Sequence, residues 1–153
     1  LVQLSLDNNS IHSLPIWLGR ITTLERMNVS GNKEIVNPPT VILRQGTQPI
    51  LTYFRTLMAG VETGHFDLRN LNLTEVPADI VQEYTLLTSL DLSGNKIPHL
   101  PPSIENLTNL HTLNIDGCPI TELQPTLGGI TSLRELSADN FENIKIPPPE
   151  IHE

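Results

Sequence analysis

Apolar residues recur in this chain at a fixed step of 23, and so short a period leaves few folds open. Leu1, Leu4, Leu6, Asn9, Ile11, Leu14 and Pro15 set the frame. Leu24, Met27, Val29, Asn32 and Ile35 repeat it, as do Leu87, Leu90, Leu92, Asn95, Ile97, Leu100 and Pro101. Leu110, Leu113, Ile115, Cys118, Ile120 and Leu123 follow, then Leu133, Leu136 and Ala138. With Phe66-Asp67-Leu68 opening another copy, six copies cover nearly all of the chain. A unit this short cannot bury its apolar face alone and must stack on its neighbours. That predicts an α/β solenoid.

The alternation in Leu4-Ser5-Leu6 and Leu90-Asp91-Leu92 has the period of a strand, so each unit opens with a short strand pointing its leucines inward. Successive strands are expected to stack in parallel, about 4.8 Å apart, on one face of the coil. Asn9, Asn32 and Asn95 fall where the chain turns away from the strand. Pointing inward there, each would bond the backbone of adjacent turns, and a buried carboxamide is tolerable only when those bonds are made. Cys118 takes the same slot. The pairs Leu14-Pro15, Val76-Pro77 and Leu100-Pro101 start return limbs, since Pro suits the first position of a helical turn.

Residues 33–64 break the rhythm. Pro38-Pro39 stops the limb, Thr47 is read as an N-cap, and Pro49 is tolerated in the first turn. Ile50, Leu51, Phe54, Leu57 and Met58 then share one helical face, and Gly60 is expected to end the helix after roughly three turns. Such a helix would lie across the coil as a clasp. The expected organisation is repeats one and two in 1–36, clasp and connector in 37–64, and repeats three to six with the start of a second clasp in 65–153. The second clasp is inferred because Ile35 to Ile42 lines up with Ile144 to Ile151 at an offset of 109. That longer unit suggests a window on a longer repeat protein.

The frame LxxLxLxxNxLxxLPxxL, with Leu-Thr-Asn-Leu at Leu107 to Leu110, resembles leucine-rich repeat proteins of the intracellular Ras-suppressor and plant Ras-group type. The segment from Asn37-Pro38-Pro39 through Gln45-Gly46-Thr47 to Ile50, Tyr53-Phe54 and Arg55 is similar to the clasp closing repeat blocks in several such proteins, Roco-type signalling proteins included. The resemblance implies a right-handed leucine-rich repeat solenoid, with parallel strands on the concave face, helical or irregular convex limbs and an inserted helical clasp. In that family Cys commonly replaces the ladder Asn, as at Cys118. The pattern is departed from at Leu71 and Phe141, which stand where the third and sixth ladder residues would be.

A net charge of −8 without any basic run argues against nucleic acid and anionic membrane surfaces, which need clustered Lys and Arg. No apolar run approaches the ~20 residues that cross a bilayer. The single cysteine, where extracellular relatives of this repeat type usually carry paired capping cysteines, favours an intracellular location. Four Asn-x-Ser/Thr matches, at Asn8, Asn28, Asn72 and Asn106, arise from a frame that itself puts Asn near Ser and Thr. No phosphate loop, nucleophile elbow, CxxC pair or HExxH is present, so no catalytic residue, cofactor or metal is expected. His65 and Asp67 lie two apart on one strand, too few for a metal site, and His12, His99, His111 and His152 are scattered.

What remains is the exposed strand face. Between the inward leucines runs the column Ser5, Asn28, Asp67, Asp91, Asn114, Ser137, and beside it Asp7, Ser30, Arg69, Ser93, Asp116, Asp139. Asp67, Arg69, Asp91, Asn114, Asp116 and Asp139 are the expected contact residues, and their acidity would steer a protein partner bearing Lys or Arg. No aromatic side chain lies on these columns; Trp17, between Ile16 and Leu18 on a return limb, is the other candidate anchor. The reading is a non-catalytic protein-interaction scaffold in signalling or complex assembly. Two alternatives stand beside it: the regulatory repeats of a larger signalling enzyme, a Roco-type GTPase or a kinase, and an architectural subunit of a large assembly.

Overall fold

The computed structural model describes residues 1–139. The sixth ladder position Phe141, the second clasp at 144–151 and His152 lie outside the described residues. The chain divides into two compact units, Leu1–Glu62 and Thr63–Glu153.

In the first unit, strands β1 (Gln3–Ser5) and β2 (Arg26–Asn28) pair in parallel, with Gln3 opposite Arg26, Leu4 opposite Met27 and Ser5 opposite Asn28. The step between partners is the sequence repeat itself. Pro15 leads into a 3-10 turn at Ile16–Arg20, and Pro39 leads into the single-turn helix α1 (Thr40–Leu43). The buried core is Leu14, Leu18, Leu24, Ile35 and Ile42 from the coil, met by Ile50, Leu51, Tyr53, Phe54 and Leu57 from helix α2 (Thr47–Thr63).

Helix α2 differs from its sequence expectation at both ends. Thr47 is its first residue rather than a cap, and its hydroxyl accepts the Met27 N–H at 2.9 Å. Gly60 does not stop it: the helix runs 17 residues, nearly five turns. Gly60 is buried within the helix, and the stop falls at Gly64, whose φ of +78° suits a glycine just past a helix end.

Two contacts fix the docking of α2. Gln48 Nε2 donates to the Leu24 carbonyl at 2.9 Å, so the start of the helix occupies a backbone carbonyl just before β2. Further on, a Cβ at Gly19 would sit 3.0 Å from the Arg55 backbone nitrogen and 3.2 Å from Phe54, closer than side chains usually pack. Arg55 Nε donates to the Gly19 carbonyl at 2.9 Å across the same contact.

The second unit contains a four-stranded parallel sheet in chain order: β3 (His65–Asp67), β4 (Ser89–Asp91), β5 (Thr112–Asn114) and β6 (Glu135–Ser137). The inward column is Phe66, Leu90, Leu113 and Leu136 in register. Return limbs follow their prolines as helix α3 (Ala78–Glu83) and 3-10 turns at Pro102–Asn106 and Pro125–Gly129. Their apolar residues Ile80, Ile104, Leu107 and Leu127 complete the core, and the Phe66 and Tyr84 rings meet with centroids 5.4 Å apart.

The inward polar residues stitch neighbouring turns. Asn95, only 2% exposed, donates from Nδ2 to the carbonyls of Leu68 and Leu92, and its Oδ1 accepts the N–H groups of Leu71 and Leu73. It thereby serves the third turn, whose own ladder position holds Leu71. Asn32 repeats the pattern with Leu6 O, Val29 O and Ile11 N–H. Cys118 Sγ reaches the Leu92 carbonyl at 3.2 Å, and burial pushes its thiol pKa up, as suits a neutral donor. Asn9 departs from this role. It is exposed and bonds only the carbonyls of Leu6 and Asp7 in its own turn, because no described turn stands on its other side.

Candidate functional site

The uncovered face of β3–β6 presents three columns of polar side chains, because period two sends alternate residues outward. In register these are His65, Ser89, Thr112, Glu135; then Asp67, Asp91, Asn114, Ser137. Beyond the strand ends lie Arg69, Ser93, Asp116 and Asp139. All of the expected contact residues therefore occupy one face of one unit. Ser5, Asn28, Asp7 and Ser30 occupy the corresponding positions in the first unit.

The middle column has a structural task that its composition did not announce. Asp91 Oδ1 accepts both the Ser93 N–H at 2.9 Å and the Ser93 hydroxyl at 2.6 Å. Asn114 Oδ1 accepts the Asp116 N–H, Asp67 Oδ1 the Arg69 N–H, and Asn28 Oδ1 the Ser30 N–H. Each is a side chain bonding the backbone two residues on, the geometry by which Asp and Asn close turns. These residues hold the loops leaving the strands, whatever else they do.

Charge is unevenly distributed across the face. Arg69 clamps Asp67 with two bonds of 2.8 Å and stands 3.8 Å from Asp91. The Arg69 hydrogen bond holds the Asp67 carboxyl below its usual pKa, and the same bond raises that of the guanidinium. At the other end Asp116 accepts the Asp139 N–H and the Ser137 hydroxyl, while Asp139 Oδ1 accepts the Gly117 N–H at 2.5 Å. Among the described residues no ion pair reaches Asp116, Asp139 or Glu135.

Sequence reasoning missed the column His65, Ser89, Thr112, Glu135 beyond its first member. The signal was available: the residue before each inward leucine has the same parity as the residue after it. Trp17, the alternative anchor, is 56% exposed on its 3-10 turn. In the first unit a shallow groove between Asn9, His12, Gly31, Lys33 and Glu34 carries an exposed His12–Glu34 pair at 3.5 Å. Among the described residues no three His, Cys, Asp or Glu side chains gather where they could hold a metal, and no helix is long and apolar enough to cross a membrane.

Residues 65–120, which span β3 to β5, match the family described as leucine rich repeat. Among solved structures, a leucine-rich repeat protein of Leptospira interrogans aligns with 95% of this chain at 23% identity and a TM-score of 0.44. The chain spans 38% of that structure's length. No curated protein matches it.

Proposed function

We propose that this chain is a non-catalytic protein-interaction scaffold whose contact surface is the strand face of the second unit. The observation that carries the reading is the face itself: four strands in register, outward side chains that are exposed or half-buried, and carboxylates outnumbering the one Arg on its two acidic columns. Leucine-rich repeats in general serve to bind proteins, and a partner bearing Lys or Arg would be steered to such a face. The reading includes a solenoid of the Ras-suppressor or Roco-like type, with α2 as the clasp that closes the first block over residues 37–64. It also includes a cytoplasmic role in signalling or complex assembly.

The test uses variants that remove charge but keep the turn-closing oxygen: Asp67→Asn, Asp91→Asn and Asp116→Asn combined. Affinity capture from the source lysate is compared for wild type and variant at low and moderate salt. Capture by wild type that falls with salt, and falls again in the variant, supports the reading, since exposed charges are screened within about 10 Å at 0.1 M salt. Equal capture by both proteins overturns it. One observation favours a second reading, an architectural subunit binding through its return limbs: the exposed Trp17, a residue type enriched in binding hot spots. In that case Trp17→Ala, rather than the triple variant, abolishes capture.

A further inference from the structure

We propose that the row His65, Ser89, Thr112, Glu135, rather than the acidic column beside it, selects what the face binds. We propose further that it accepts an extended peptide lying across the strands with a Lys or Arg over Glu135. This rests on the strand face being the contact surface.

The two rows differ in what their side chains already do. Asp67, Asp91 and Asn114 spend an oxygen each on the loop that follows, and Asp116, Asp139 and Ser137 bond within their own group. His65, Ser89, Thr112 and Glu135 make no side-chain hydrogen bond or ion pair with any described residue. Donors and acceptors that the fold leaves free are the ones a ligand can engage without breaking anything. Strand pairing sets His65 beside Ser89, Ser89 beside Thr112 and Thr112 beside Glu135. At about 4.8 Å per strand the row is roughly 14 Å long, and at about 3.3 Å per residue an extended segment of four or five residues spans it.

The row also has a direction. On the β3 side of the face, Arg69, four residues beyond His65, already pairs with Asp67 and approaches Asp91. On the β6 side of the face, among the described residues, no ion pair reaches Glu135, Asp116 or Asp139. A cationic side chain is favoured more there than on the β3 side, where Arg69 already pairs the carboxylates. The half-buried hydroxyls of Ser89 and Thr112 can donate to or accept from the main chain of the peptide between.

The experiment is an array of immobilised pentapeptides, varied in their three inner residues, carrying either Lys or Glu at one end and Gly-Ser spacers outside. Wild type is expected to retain Lys-ended peptides about three- to tenfold over Glu-ended ones. Glu135→Lys, on an exposed side chain, inverts that preference, whereas Asp91→Asn lowers retention of all peptides without changing the preferred end. Ser89→Ala with Thr112→Ala lowers retention of all peptides without changing the preferred end. Thermal melts of each variant confirm that the fold is intact. Selection that follows Asp91→Asn, or that ignores Glu135→Lys, overturns the row while leaving the face as contact surface. Retention of no peptide by wild type overturns both.

Discussion

The two units solve one problem in different ways. A strand of three residues buries its inward side chain most readily when something stands on both sides of it. In the second unit β4 and β5 each lie between two strands and their inward Leu90 and Leu113 are buried, while Phe66 on the edge strand β3 is buried with the Tyr84 ring against it. In the first unit only two strands are present, and the inward Leu4 and Met27 stay half-exposed. There the Thr47 hydroxyl and the Gln48 amide take up backbone groups in and just before β2, and the apolar face of α2 covers the coil beside it. A helix thus substitutes for the next turn.

The largest expected effect comes from removing that substitute. Phe54 is fully buried at the centre of the α2 contact. Phe54→Ala should cost the protein about 3–5 kcal/mol, the usual range for a buried aromatic truncated to Ala. Phe54→Asp should release the helix and expose residues 60–64 to proteases. Hydrogen exchange resolved by residue would then show protection lost across residues 1–62 and kept on β3–β6. Loss on both units together would mean that they stabilise one another, and the contrast drawn above would fail.

Next in size is the ladder. Asn95→Leu leaves Leu71 N–H, Leu73 N–H and the carbonyls of Leu68 and Leu92 without their partner, and about 1–3 kcal/mol should be lost in a denaturant melt. Asn32→Leu removes the same kind of bonds from a half-exposed site where water can replace them, so its loss should be smaller. Equal losses would show that the ladder, not burial around it, sets the cost.

Gly19→Ala probes the first unit at a finer scale. The added methyl meets the backbone of α2 at 3.0 Å, and backbone cannot rotate away as a side chain end can. A cost of about 1–3 kcal/mol is expected, the range for overpacking a tight contact. Measured beside Gly128→Ala, where nothing lies within 4 Å of the new methyl, it separates the close approach from the loss of glycine as such.

The parts of this picture that were legible in the sequence share one property: they repeat. Strand positions, inward leucines and the Asn32, Asn95 and Cys118 slots recur at a fixed spacing, so each copy supports the reading of the others. The ends of α2 occur once. There local propensity suggested a stop at Gly60, yet the helix runs on to Thr63 with Gly60 buried inside it. The turn-closing work of Asp67 and Asp91 was hidden for another reason. An outward carboxylate reads the same whether it bonds solvent, a loop N–H or a partner, and only the backbone path of the loop decides. The free row beginning at His65 was legible by parity, yet it carries no compositional bias to draw attention to it.

The smallest expected effect concerns titration, where carboxylates of the second unit respond to acid with opposite signs. Asp67 has its pKa lowered by Arg69, so whatever stability it lends is present above the unfolded pKa and is lost as pH falls through the folded one. Asp79, in the first turn of α3, has its pKa raised, chiefly by burial, with backbone N–H groups opposing and Glu83 adding a little. Its folded pKa lies above its unfolded value, so its ionised form weakens the fold at neutral pH, and that penalty fades as pH falls through the folded pKa. Asp79→Asn keeps an acceptor for the backbone N–H groups and removes the charge. The variant should therefore melt slightly above wild type at neutral pH, with the difference closing as pH drops towards about 4. A difference that stays constant over that range would assign the effect to packing at α3 rather than to charge. A variant less stable than wild type at neutral pH would show that the carboxylate at the helix start contributes more than its burial costs.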